Sequence, residues 1–271
     1  MILSLPDSMS HVIAIANQKG GVGKTTTAIN LGASLAVAEK RTLVVDIDPQ
    51  GNASSGLGIA DRSSRPTIYD VLIGRSSISE AAVREVHLPH LDVVPSTRDL
   101  VGAEIELVSA PERERVLRTA LRGVREEYDY ILVDCPPSLG LLTVNTLTAA
   151  DSVLIPIQRE FYALEGLSQL LNTVRLVQRS LNPQLDIEGV LLTMYDRRLN
   201  LSRQVAMEAR DYFGDKVYES TIPRNVRLAE APSFGQPIVQ YDVLSSGAEA
   251  YLALAQEVIA RHAPSHSGSG S

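Results

Sequence analysis

Eight consecutive residues, Lys19-Gly20-Gly21-Val22-Gly23-Lys24-Thr25-Thr26, have the types and spacing that hold a phosphate. They follow an apolar run from His11 to Ala16, so the chain reads as a strand entering a glycine-rich loop that opens a helix. There the loop's backbone N–H groups and the helix N-terminus converge on one anion. Lys24 is placed to reach the terminal phosphates of a nucleotide, and the Thr25 hydroxyl to ligate Mg²⁺. Read from Gly20, the segment is a slightly shortened G-x-x-x-x-G-K-T pattern ending in Gly23-Lys24-Thr25. The glycines could mark only a tight turn, but the strand before them and the helix after them fit a cradle. Lys19 is the departure. A plain phosphate loop has one lysine, and a second at its mouth adds charge where there is already enough. The simplest use for it is to touch phosphate held by a partner subunit.

Two further segments supply carboxylates. In Leu43-Val-Val-Asp46-Ile-Asp48-Pro49-Gln50-Gly51-Asn52, two aspartates one residue apart close a strand, at the end where parallel sheets place ligands. At period two they project to the same side of the chain. In Ile131-Leu-Val-Asp134-Cys-Pro-Pro137, an apolar strand ends in Asp134, the way phosphate-loop enzymes hold Mg²⁺ through its water shell. A lone strand-end aspartate is as often a cap or loop residue. The three segments together point to Mg²⁺-dependent hydrolysis of a nucleoside triphosphate. Asp48 is the candidate for orienting the attacking water, and Asp46 is a metal-side or structural residue.

These groups need a scaffold, and strand and helix signals alternate along the chain. Strands are expected at 11–17, 41–46, 90–95, 128–134, 151–156 and 187–195. Helices are expected at 25–38, 67–73, 78–85, 98–108, 112–125, 163–180, 200–213 and 248–261, with a polar loop at 48–66. The fold class is α/β: one domain with a mostly parallel twisted sheet and helices on both faces, over residues 11–262. Residues 1–10 read as a loose leader and 263–271 as a Ser/Gly-rich disordered tail.

The chain has 271 residues, enough for one large core, and no apolar run long enough to span a membrane. Its single cysteine, Cys135, excludes an internal disulfide and fits a reducing cytoplasm. The net charge of −7 argues against bulk attraction to nucleic acid or anionic lipid, so any such binding needs a local patch.

Four motifs together resemble the ParA/Soj group of partition ATPases, within the MinD/ParA class with its deviant phosphate loop. They are Lys19 to Thr26, Val45 to Asn52, Ile131 to Pro137, and Ile222-Pro-Arg-Asn-Val-Arg-Leu-Ala-Glu-Ala-Pro232. The resemblance runs from about residue 11 to 261. It implies ATP and Mg²⁺ as ligands and an ATP-bound sandwich homodimer in which Lys19 crosses to the partner's phosphates. Gly20, Gly21, Val22, Gly23 and Thr26 complete the cradle around Lys24 and Thr25. It implies that Asp48 is needed for hydrolysis and sits with Thr25 and Asp134 on the metal side. Pro223 and Asn225 would lie near the adenine, and Glu165, in Glu160-Phe-Tyr-Ala-Leu-Glu-Gly166, near the nucleotide and the dimer interface.

As partners the resemblance implies non-specific double-stranded DNA, bound through Arg198 and Arg227, and a ParB/Spo0J-type centromere-binding protein. The location implied is cytoplasmic and nucleoid-associated. Two departures weaken the DNA surface. Val243-Leu-Ser-Ser-Gly247 replaces a basic run frequent in relatives, and Gln236 stands where lysine is common. The rival reading, a MinD-like ATPase acting on a membrane or protein matrix, needs a basic amphipathic C-terminal helix. Residues 248–261 end in one arginine, with a histidine following. An iron–sulfur relative would need two cysteines per subunit, and a tyrosine kinase of related fold a terminal tyrosine cluster.

Overall fold

The apolar runs of the sequence become strands of one parallel sheet. They are β1 (His11–Ile15), β2 (Thr42–Asp46), β3 (Leu91–Val94), β4 (Tyr130–Asp134), β5 (Ser152–Gln158), β6 (Asp186–Tyr195) and β7 (Val217–Pro223). The computed structural model describes residues 10–59, 64–158 and 167–263. The strand order is β3-β2-β4-β1-β5-β6-β7, and every pairing is parallel. β1 therefore lies between β4 and β5, where the order reverses, and its carboxyl end opens into the crevice that ligands use in such sheets.

The helices are α1 (Lys24–Val37), α2 (Asn52–Gly56), α3 (Ile68–Leu72), α4 (Ile78–Ala81), α5 (Leu100–Glu106), α6 (Val116–Arg122), α7 (Leu141–Ala149), α8 (Leu167–Ser180), α9 (Asn200–Phe213), α10 (Val226–Glu230), α11 (Ile238–Tyr241) and α12 (Ser246–Arg261). They cover both faces. α3 to α9 bury one face with Val12, Ala14, Leu43, Val45, Ile131 and Val133. α1, α2 and α10 to α12 bury the other with Ile13, Ile15, Val44 and Leu132. This period-two alternation decides where the carboxylates point. Asp46 follows Val44, and Asp134 follows Leu132, so both take the face that carries α1.

Strand and helix ends differ from the sequence reading by a few residues, and four differences are larger. The polar loop at 48–66 contains α2. α7, β7, α10 and α11 carry no prediction: α7 buries Thr143, Thr146 and Thr148 beside its leucines, which blurs its period, β7 buries only Val217, Tyr218 and Ile222, and α10 and α11 are single turns. α1 is buried almost all round, from Thr27 to Ala36, and ends at Val37, with Val37 and Ala38 exposed. The segments expected as helix at 98–108 and 112–125 shrink to α5 and α6, flanked by 3₁₀ turns. Of the predicted leader and tail, residues 1–9 and 264–271 lie outside the described residues, as do 159–166.

Candidate nucleotide-binding site

The loop between β1 and α1 is held open by three fixed points. Asn17 donates its Nδ2 to the Pro156 carbonyl at 2.7 Å and accepts the Lys19 N–H at 2.9 Å. Thr193 donates to the Val22 carbonyl at 2.8 Å and also lies 3.0 Å from the Ile157 carbonyl, tying the loop to β5 and β6. Gly23 caps α1 with φ +90°, a left-handed conformation that a side chain would strain. α1 is anchored in turn by Thr27 to Tyr251 at 3.2 Å and by Asn30, which accepts the Ile238 N–H at 2.7 Å. The helix N-terminus is thus fixed before any ligand arrives.

The two lysines of the loop differ sharply. Lys24 is 7 % exposed, and its Nζ donates to the Lys19 carbonyl at 3.0 Å. Burial lowers its pKa, partly offset by Asp134, Cys135 and Asp48. Lys19 is exposed at the outer lip of the loop.

The three aspartates also divide. Asp46 and Asp134 are register partners on β2 and β4 and are fully buried. Asp46 is satisfied. One oxygen accepts from the Ser54 N–H at 2.8 Å and the Ser54 hydroxyl at 2.7 Å, and the other accepts the Asp48 N–H at 3.2 Å. Ser54 Oγ accepts in turn from Ser96 N–H at 2.9 Å. Burial still pushes the Asp46 carboxyl up to about 6, against the pull of Ser54. Between the two roles left open for Asp46, this bonding selects the structural one: it fixes the β2–α2 turn that carries Asp48. Asp48 itself is 6 % exposed and accepts the Gln50 N–H at 2.9 Å.

Asp134 has no such satisfaction. Both carboxylate oxygens are buried without a hydrogen-bond partner. Burial, then the neighbouring Asp46 and Asp48 charges, raise its pKa well above the usual carboxylate range. The Thr25 hydroxyl faces it and pulls the other way, yet stops short of a formed hydrogen bond. A pair of orphaned buried oxygens facing a threonine hydroxyl, beside a buried lysine, fits a hydrated divalent cation next to a phosphate. Such a cation would reverse the electrostatics that raise Asp134. Thr25, Asp134 and Asp48 are the residues that would hold it. Cys135, fully buried, has its thiol pushed up to about 12 by burial and is chemically quiet.

Two adjoining cavities meet at the loop. One, of about 560 Å³, is lined by Gly20, Gly21, Lys24, Thr25, Asp48 and Pro137 among others. The second, of about 610 Å³, shares Gly23 and Thr26 with it and runs along Thr193, Pro223, Asn225 and Tyr251. The structure therefore brings Pro223 and Asn225 beside the phosphate loop, with room for a base. Asn225 also caps α10, accepting from Arg227 N–H at 2.7 Å and donating to Ser246 Oγ at 2.8 Å. Glu165 lies outside the described residues.

The two arginines assigned to DNA are less clearly joined. Arg198 is 89 % exposed and paired with Asp196 at 2.8 Å. Arg227 is half-exposed and pairs with Glu230 at 3.0 Å and Asp242 at 3.4 Å. Arg198 shares a groove with Arg197 and Arg224, and Arg227 is not among its lining residues. The sequence reading passed over Arg197, Arg224, Asn17, Ser54 and Thr193. The Arg197-Arg198 doublet and the place of Arg224 inside a quoted motif were usable signals. Ser54 and Thr193 had none, because their partners are distant in sequence.

A phosphate loop at the switch point of a parallel sheet, with a magnesium-type carboxylate on the adjacent strand, defines a phosphate-loop nucleotide-binding protein. Comparison with known proteins narrows this. The chain matches the AAA domain family over residues 10–187. It is 59% identical over 257 residues to the chromosome partitioning protein ParA of Myxococcus xanthus, covering 95% of this chain and 90% of that protein. It is 61% identical over 252 residues to the sporulation initiation inhibitor protein Soj of Bacillus subtilis, covering 93% and 99%. Among solved structures, cobyrinic acid a,c-diamide synthase from Mycobacterium smegmatis with bound ADP and magnesium aligns with TM-score 0.80 and 38% identity, over 93% and 94% of the two chains. The chain belongs to the ParA/Soj family of chromosome-partitioning ATPases.

Proposed function

We propose that this chain is an ATP-gated partition switch that closes as a dimer on DNA and opens when ATP is hydrolysed. It is a magnesium-dependent ATPase with a partition role, as a member of its family. Bound Mg²⁺ supplies charge neutralisation for the β- and γ-phosphates. Within one copy, the loop N–H groups and Lys24 position the phosphates. Asp48 orients the water that attacks the γ-phosphorus, breaking its bond to the β–γ bridging oxygen and leaving ADP and phosphate.

The single observation that carries the dimer reading is the division of labour between the lysines. Lys24 is buried against its own loop, whereas Lys19 stands exposed at the rim, where a facing copy would present its phosphates. The closed dimer would gather the exposed Arg198 and Arg227 of both copies into one surface for double-stranded DNA. A ParB/Spo0J-type partner would then stimulate hydrolysis and release it. The MinD-like alternative gains nothing from α12, whose apolar residues Tyr251, Leu254, Ala255 and Val258 are spent in the core. Among the described residues no helix is long and apolar enough to cross a membrane.

The test is binding to a random-sequence duplex without nucleotide, with ADP and with ATP, over a salt series. Binding only with ATP, weakening as salt rises, is the expected result. Absence of binding with every nucleotide would overturn the DNA reading and leave a protein or membrane matrix as the surface to test.

A further inference from the structure

At the opposite end of the sheet from the nucleotide, the amino ends of β1, β5 and β6 meet the last turn of α12. His11 opens β1, Ser152 opens β5, Glu188 lies on β6, and His262 follows α12. Glu188 Oε2 is 3.2 Å from His11 Nε2 and 3.2 Å from His262 Nε2. All three atoms lie within 4.8 Å of one another, and among the described residues this is the one such trio of potential metal ligands. Ser152 donates to the same carboxylate at 2.7 Å, and the Tyr218 hydroxyl donates to its other oxygen at 3.3 Å. Tyr218 reaches that position because residue 189 is glycine; a Cβ there would come within 2.5 Å of the tyrosine ring.

From this geometry we infer a second site in the molecule, a three-ligand centre for Zn²⁺ or a similar borderline divalent ion, formed by His11, Glu188 and His262. Donor atoms on one tetrahedral ion with bonds of 2.0–2.1 Å are separated by about 3.3–3.4 Å. Both His-to-Glu separations here are already 3.2 Å. Two imidazoles and one carboxylate select zinc-like ions over Mg²⁺ or Ca²⁺, which prefer all-oxygen shells. The layout suits entry from solvent. The carboxylate is 5 % exposed at the floor, and the imidazoles are 30 % and 22 % exposed at the rim of a cavity of about 590 Å³. The two rings lie tilted at 3.9 Å between centroids and must part by about 1 Å to admit a tetrahedral ion. His262 Nδ1 is buried without a hydrogen-bond partner, so the ring is held through Nε2 and its contacts with His11 and Tyr130.

Binding replaces the Nε2 protons that now face Glu188. They move to Nδ1 of neutral rings or leave to solvent from charged ones. The fourth position, left to the cavity that Lys216, Arg261, Asp186 and Asp215 also line, would take water. The bound ion would staple three points 74 to 251 positions apart in the chain (262 − 188 = 74; 262 − 11 = 251), holding the C-terminal end of α12 to the sheet.

The test uses the full chain stripped of metal, with the nucleotide site filled by Mg-ADP. Co²⁺ is titrated in and the visible d–d spectrum followed. One equivalent per chain with an intense tetrahedral band, bleached by Zn²⁺, is expected. His11→Gln and His262→Gln, both at the rim and each checked by circular dichroism to be folded, should each weaken binding by more than the 10–100-fold typical of losing an outer-shell partner. Zn²⁺ should raise the Tm of the unaltered chain and leave that of His262→Gln unmoved. No tetrahedral band in the unaltered chain, or a band unchanged in both variants, would overturn the assignment.

Discussion

The two ends of the sheet each bury a carboxylate, and they treat it in opposite ways. At the carboxyl end, Asp134 has no hydrogen-bond partner, and burial with its acidic neighbours holds its pKa well above the usual range. At the amino end, burial would likewise raise Glu188, but hydrogen bonds from His11, His262 and Ser152 overcome it and hold the carboxyl far below that range. The first arrangement costs stability, as it would where a ligand completes it. The second is satisfied by its own neighbours, and an ion bound there would have to displace the histidine protons from it. An orphaned buried carboxylate therefore points to a missing partner more directly than burial or charge alone.

The comparison breaks most sharply at Asp134. Asp134→Asn should lower ATP turnover about 10²–10³-fold while leaving the urea midpoint unchanged or slightly raised, since it replaces a buried carboxyl that has no hydrogen-bond partner in the protein. A large loss of stability instead would mean that Asp134 is structural. Lys19→Ala comes next. Gel filtration with a non-hydrolysable ATP analogue should show the dimer lost and nucleotide binding by the monomer retained. A persisting dimer would remove the cross-subunit role.

Glu188→Gln should do the reverse of Asp134→Asn. It breaks a satisfied pair and should cost about 3 kcal/mol in urea unfolding, with turnover per folded molecule unchanged. Its pH dependence follows from the depressed folded pKa. The stabilisation is complete above the unfolded value of about 4.3 and is lost as pH falls below that toward the folded value. The gap between the two proteins should therefore close on acidification; a gap constant down to pH 3 would contradict the ionic origin.

Ser54→Ala probes the satisfied aspartate beside the orphan. It removes one of Asp46's hydrogen bonds and should cost about 1–3 kcal/mol, read by thermal melting. The smallest effects are expected of Arg198→Ala and Arg227→Ala. Each is surface-paired and should change stability by less than about 0.5 kcal/mol. Each should also lower the salt slope of DNA binding by about 1; an unchanged slope would take that arginine off the DNA surface.

Much of this was legible in the residue order, for local reasons. The phosphate loop is one contiguous segment, and both aspartate strands end in turn signals, so Gly23, Lys24, Thr25, Asp48 and Asp134 stand out without any fold. Elements that lack a pattern of their own were not legible. α7 holds Thr143, Thr146 and Thr148 at buried positions, and β7 buries only Val217, Tyr218 and Ile222 around an exposed Glu219, so neither shows a clean period. Also not legible were Thr193, which reaches Val22 across 171 residues, and the trio at the amino end, whose members span 251 positions (262 − 11 = 251).

The sequence by itself determined the class of chemistry, the α/β alternation and the family, because phosphate binding and period-two burial are written in short stretches. Only the tertiary structure separated Asp46 from Asp134. Both end apolar strands and both point to the face of α1, so nothing local distinguishes them. What does is Ser54, which folds back on α2 to satisfy one and leaves the other bare. Hydrogen-bond satisfaction is a property of three-dimensional neighbours, and so the difference between a satisfied aspartate and an unpartnered one appears only in the folded chain.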